Sequence, residues 1–175
     1  RTGLSAAVDL GTTTVVVKLY DRAHGAELAA QRAWNAQAPY GADVISRIQH
    51  TLDTPQGFSE LSGRIRGQIW AMLEAALSAA GRQAEELKEI SVAGNTVMES
   101  LFAGKSVAGM AAAPFRPDSL FFGPEGTGEL NGVPVRLLPC VAGYVGGDIT
   151  AGLMASGLGE KPGEHLFLDI GTNGE

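Results

Sequence analysis

Apolar and polar positions along this chain repeat with two periods, and the switch between them outlines the fold. Leu4 to Asp9, LSAAVD, reads as a short buried strand, and Thr12 to Tyr20, TTTVVVKLY, as a second one rich in β-branched residues. The turn sequence DRAHG follows, and AELAAQRAW returns as a third strand, which predicts an antiparallel meander up to Trp34. In NAQAPYGADVISRI, Pro39 and Gly41 mark a loop, and Asp43 can cap a short helix with Val44, Ile45, Ile48 and Leu52 on one side. The period then becomes helical. Phe58, Leu61, Ile65, Ile69, Met72, Leu73 and Leu77 fall on one face of a long amphipathic helix that ends at Gly81. Gly63 and Gly67 interrupt it at a cost of about 1 kcal/mol each relative to alanine. They are expected to let another backbone approach closely.

Beyond this helix, strands and helices alternate. KEISVAGNT is a strand running into a glycine turn, and TVMESLFAG is a short helix with Thr96 and Glu99 at capping-box spacing. Residues 104–130 are rich in Gly, Pro and Ala and read as an irregular excursion. Val133 to Leu138 is a strand. VGGDITAGLMASGLGE is a helix with Asp148 at its N-cap, and EHLFLDIG is a closing strand. A meander followed by such alternation implies an α/β fold with a mixed sheet.

The totals narrow the function classes. At 45% apolar and 18% charged residues, the 175-residue chain is globular and large enough for one domain with its own core. A net charge of −6 argues against nucleic acid as a partner. The single cysteine, Cys140, excludes an internal disulfide and a cysteine-only metal cluster, and it reads as a buried structural thiol. No stretch is long and apolar enough to span a membrane, and no signal peptide opens the chain, so a cytoplasmic setting is expected. The chain starts without methionine and stops just after a turn, as expected of a piece of a longer protein.

Two turns match. VDLGTTT at Val8–Thr14 and LDIGTNG at Leu168–Gly174 each run from strand to Asp, apolar residue, Gly, Thr and a polar residue. A single D-x-G-T is commonly an ordinary turn, but two matched copies suit the phosphates of a nucleotide. Glycine permits close approach, and successive N–H groups form an anion-binding concavity. The carboxylates would repel phosphate but suit a hydrated Mg²⁺. There is no G-x-x-x-x-G-K-[ST] and no G-x-G-x-x-G between a strand and a helix, so neither a P-loop nor a Rossmann site is read. Asp148 in AGYVGGDITAG is either a plain cap or a carboxylate that orients or deprotonates an attacking water. Gly94 and Asn95 in VAGNT end a strand where open α/β sheets place ligands, or they form a plain turn and cap.

DLGTTT after a strand, the later GGD helix and DIGTNG after a second strand resemble the actin, sugar kinase and Hsp70 superfamily. There, two RNase H-like halves close over ATP. The resemblance implies that Gly11, Thr12, Thr13 and Thr14, with Gly171, Thr172, Asn173 and Gly174, contact phosphates. It implies that Asp9 and Asp169 position Mg²⁺ through water, that Asp148 is catalytic and that Gly94 and Asn95 belong to the cofactor site. Residues 1–160 would be the first half of the ATPase domain, and 161–175 the opening strand and second phosphate turn of the other.

NAQAPYGADVISRI, VAGNTVM, APFRP, LPCVAGYVGGDITAG and LFLDIGTNGE together resemble, more closely, the ATP-dependent reductive activators of corrinoid proteins. Where that family has NPQ, this chain has Asn35, Ala36 and Gln37. The resemblance implies an ATPase that follows a [2Fe–2S] ferredoxin domain absent from this chain. It would return cob(II)alamin to cob(I)alamin on a corrinoid iron–sulfur or corrinoid methyltransferase protein. The adenine pocket would come from the second half, so the chain alone is expected to be inactive. Asn35–Arg47 is the candidate partner-facing segment. Homodimerisation stays open, as do two rival readings: a sugar or acid kinase of the same fold, and a non-catalytic actin-like assembly protein.

Overall fold

In the computed structural model, which describes residues 2–122 and 128–170, strands β1 (Leu4–Leu10), β2 (Thr14–Asp21) and β3 (Glu27–Trp34) form the expected antiparallel meander. Val8 pairs with Val17, Leu10 with Val15, and Thr14 with Trp34. Strand β4 (Leu87–Gly94) lies parallel to β1, and β6 (Val133–Leu137) lies parallel to β4. A two-residue strand, β5 (Glu129–Leu130), pairs antiparallel with β6. The resulting order is β3-β2-β1-β4-β6-β5. The excursion over 104–130 therefore ends in a short hairpin strand that its composition does not announce.

Alternation along the strands divides the sheet into two faces. Leu4, Ala6, Val8 and Leu10 of β1, with Val15, Val17 and Leu19 of β2, are buried on one face. They pack in one core with Leu61, Ile65, Ile69, Leu73 and Leu77 of α2 (Gly57–Ala79). Each such aliphatic side chain contributes about 1.5–3 kcal/mol by leaving water. Helix α1 (Val44–Asp53) packs beside α2 and begins at Asp43 as expected; the Asp43 side chain accepts from the Ser46 N–H at 2.8 Å. Helix α3 (Thr96–Ala103) also packs on α2, where Arg66 donates to the Phe102 and Glu129 carbonyls. Helix α4 (Gly147–Ser156) packs against β4.

Four local expectations are corrected. The N-cap of α3 is Asn95, whose side chain accepts from the Met98 N–H at 3.0 Å, so Thr96 and Glu99 form no capping box. The N-cap of α4 is Gly146, which puts Asp148 inside the first turn. Gly63 and Gly67 are exposed and face open space, so they mark no close backbone approach. Residues 164–169 form no strand despite the apolar run Leu166–Leu168, and only an isolated bridge occurs, at Ile170. Leu166, Leu168 and Ile170 are exposed, with no core to bury them. An apolar run becomes a strand only where a neighbour supplies the ladder.

Candidate functional site

Asp9 occupies the alternate phase of β1, so its carboxylate leaves the sheet on the face away from α2. There it lines a cleft of about 410 Å³ with Asp148, Asp169 and Lys18, walled by small apolar side chains including Ala93 and Ala151. The cleft thus unites Asp9, Asp148 and Asp169, which lie far apart in sequence. Desolvation holds the Asp9 carboxyl above its usual range, and repulsion from Asp148 and Asp169 adds to this, while Arg32 opposes it. The Asp148 carboxyl is raised too, chiefly by desolvation and also by Asp169, although its Oδ1 accepts from the Ile149 N–H at 2.9 Å.

Neighbouring carboxylates that raise the proton affinity of Asp9 and Asp148 make a site that a cation would relieve. Among the described residues, no three His, Cys, Asp or Glu side chains are grouped to ligate one ion directly. Carboxylates are the donor type through which a hydrated Mg²⁺ is commonly held.

The first glycine turn follows β1 and consists of Gly11, Thr12 and Thr13. Thr14 is already the first residue of β2, paired with Trp34 in the ladder and not in the turn. Thr12 is buried, and its Oγ1 accepts from Asn95 Nδ2 at 2.8 Å. The hydroxyl of Thr12 and the amide of Asn95 therefore tie the turn to the start of α3. The Gly94 N–H is also committed, donating to Glu99 Oε1 at 2.9 Å. The backbone of this glycine turn is a candidate for phosphate contact. Gly171, Thr172, Asn173 and Gly174 lie outside the described residues.

The segment Asn35–Arg47 turns three of its polar side chains inward, while Ala38, Pro39, Ala42, Asp43 and Ile45 are exposed. Asn35, Gln37 and Arg47 are all buried, and Gln37 Nε2 donates to the Leu61 carbonyl at 2.9 Å. The Ala36 N–H donates to Gln68 Oε1 at 2.8 Å, while Gln68 Nε2 donates to the Trp34 carbonyl at 2.7 Å. A proline at position 36 could not make the first of these bonds. One sequence signal for this buried network was present: Arg47 lies three residues after Val44, on the buried face of α1.

Beneath the N-terminus of α4 lies a second group that sequence reasoning missed. Glu99 is fully buried, and burial pushes its carboxyl up to about 8. Cys140 Sγ stands 3.6 Å from Glu99 Oε2, and burial, with the neighbouring carboxylate, pushes this thiol up to about 12. The glycines of VGGD permit this packing. A Cβ on Gly146 would strike the Gly94 carbonyl and Asn95 Cα, and one on Gly147 would strike Glu99 Oε1. The buried structural role expected for Cys140 agrees with its surroundings.

Comparison with known proteins gives a consistent answer. Across 181 aligned residues the chain is 30% identical to the corrinoid activation enzyme RamQ of Eubacterium limosum, covering 97% of this chain and 29% of that protein. A solved structure described as a reductive activator for corrinoid, iron–sulfur protein superposes with a TM-score of 0.93 at 38% identity, covering 99% of this chain and 28% of that one. The chain thus spans less than a third of the length of each relative. Residues 4–161 match the family described as the RACo middle region, and the chain belongs to that family.

Proposed function

We propose that this chain is part of the ATPase of a reductive activator that returns cob(II)alamin of a corrinoid methyl-carrier protein to cob(I)alamin. Its family and its relatives' role in corrinoid activation support the reading. The observation that carries the ATPase part is the cleft in which Asp9, Asp148 and Asp169 converge. Residues 1–160 would form the first RNase H-like half of an actin-like domain, and 161–175 the start of the second. A cytoplasmic location belongs to the same proposal; what is observed is that no described helix is long and apolar enough to cross a membrane.

When bound, the magnesium nucleotide supplies the phosphoanhydride whose cleavage drives the activator between states of different affinity for its partner. Peptide N–H groups of Gly11–Thr13 would hold phosphate oxygens by dipole and hydrogen bond. Asp9 and Asp169 would accept hydrogen bonds from the metal's waters. Asp148, with its proton affinity raised by burial, would orient the attacking water and take up its proton. The one electron that converts Co(II) to Co(I) would come from a [2Fe–2S] domain outside this chain, whose single cysteine is buried and cannot hold a cluster.

The test is ATP turnover by the full-length protein carrying Asp148→Asn. Loss of about 10²-fold or more in turnover, with ATP affinity largely kept, is expected. Turnover at the wild-type rate would remove Asp148 from the chemistry.

A further inference from the structure

The first glycine turn is held from behind by one buried segment. Asn35 Nδ2 donates to the Gly11 carbonyl at 2.9 Å, Arg47 Nη2 to the Thr12 carbonyl at 2.6 Å, and the Asn35 N–H to the Thr13 carbonyl at 2.8 Å. Three successive carbonyls therefore point toward the interior that Asn35 and Arg47 occupy. In a trans peptide the C=O and N–H point opposite ways. Fixing the Gly11 and Thr12 carbonyls inward thus turns the N–H groups of Thr12 and Thr13 away from the interior, as an anion-binding turn requires.

Arg47 is unusual in its own right. It is fully buried, yet all its hydrogen-bond partners are neutral: the Gly41 and Thr12 carbonyls, Gln37 Oε1 and Met98 Sδ. Asp43, the nearest carboxylate on its own segment, is engaged in capping α1 through Ser46. Burial lowers the guanidinium to about 10, which leaves it charged at neutral pH. Asp43 acts on it through space only, and a buried cation with no hydrogen-bonded anion is costly. This one is bonded to the back of a turn whose sequence suits phosphate.

We propose that Arg47, with Asn35, is a positioning residue for nucleotide phosphate, orienting the Gly11–Thr13 peptides and lending them positive charge through the Thr12 carbonyl. Arg47 does not touch the ligand. Its bond to the Thr12 carbonyl fixes that peptide's orientation, and its charge raises the positive potential behind the turn. Phosphate arriving at the turn would in return add negative charge near a guanidinium that Asp43 reaches only through space. This inference rests on the reading that the turn takes phosphate.

The experiment is calorimetric binding of ATP, ADP and adenosine to the full-length protein and to Arg47→Met, Arg47→Lys and Asn35→Asp. Asn35→Asp keeps the acceptor for the Gln37 N–H and removes the donor to Gly11. Loss of a hydrogen bond to a charged group predicts a rise in the dissociation constants of ATP and ADP of about tenfold or more, with adenosine unchanged. Arg47→Lys should retain part of the affinity, because it keeps the charge and loses the fork. A merely structural role would weaken adenosine and ATP together through the folded fraction. Equal losses for ATP and adenosine, or none, would overturn the proposal. If Arg47→Met does not fold, the ATP-to-adenosine affinity ratio in the other two variants decides by the same criterion. Wild-type protein that binds no adenine nucleotide would instead sink the functional reading itself.

Discussion

Glu99→Gln should make the protein more stable as pH rises, although it removes a buried hydrogen-bonding acid. Glu99 has no exposure, and burial raises its carboxyl from 4.5 to about 8. The folded form therefore keeps a proton that the unfolded chain releases. For an acid shifted upward, stability is intact below the unfolded value and is lost as pH climbs between the two, here from 4.5 to about 8. Each unit is worth about 1.4 kcal/mol, so the loss across the window is on the order of a few kcal/mol. Glutamine mimics the protonated acid, keeps an acceptor for the Gly94 N–H and does not titrate. Its NH₂ faces only the weak acceptor Cys140 Sγ, which offsets part of the gain by about 1 kcal/mol. Thermal unfolding at pH 5 and pH 8 measures the difference. The variant should match or fall slightly below wild type at pH 5 and melt several degrees higher at pH 8, at about 2–4 °C per kcal/mol for a chain of this size. Parallel melting curves for the two proteins across that range would refute a neutral, buried Glu99.

Two further outcomes follow from the packing around α4. Gly146→Ala should cost about 1–3 kcal/mol by overpacking, because its Cβ would meet the Gly94 carbonyl and Asn95 Cα. Its φ of −99° is ordinary, so the loss is steric; Gly63→Ala, facing open space in α2, should instead gain about 0.5–1 kcal/mol. Denaturant melts of the pair check the sign reversal. Cys140, buried with its thiol pushed up to about 12, should resist a disulfide-exchange reagent at pH 8 in the native protein and react on unfolding. Rapid labelling of the native state would show that the thiol is accessible.

Much of the architecture was legible because periodicity follows directly from backbone geometry. The meander, the α2 face, the Asp43 cap and the strand before VAGNT rest on repeats of two or about three and a half residues, or on local capping chemistry. The turn VDLGTTT was legible for the same reason: glycine and β-branched residues have local conformational demands. EHLFLDIG carried an equally clear pattern, yet 164–169 form no strand, because a strand exists only through hydrogen bonds to a neighbour. The two-residue strand β5 had no pattern at all and owes its existence to Val133 and Pro134 opposite it.

The chain's own order of residues therefore determined the strand and helix periods, the identity of the acids and the glycine turn between β1 and β2. Only tertiary structure decided which polar groups stay available to a ligand. Thr12 and Asn95, read from the sequence as cofactor contacts, bond to each other, and the Gly94 N–H donates to Glu99. Asn35 and Arg47 looked like surface residues, but they are buried behind the turn. Hydrogen-bond commitment depends on contacts between residues distant in sequence, such as Thr12 with Asn95 and Arg47. Neither spacing nor propensity encodes those contacts. Burial of Glu99 and Cys140 beneath the α4 glycines is decided in the same way, by how closely two backbones meet.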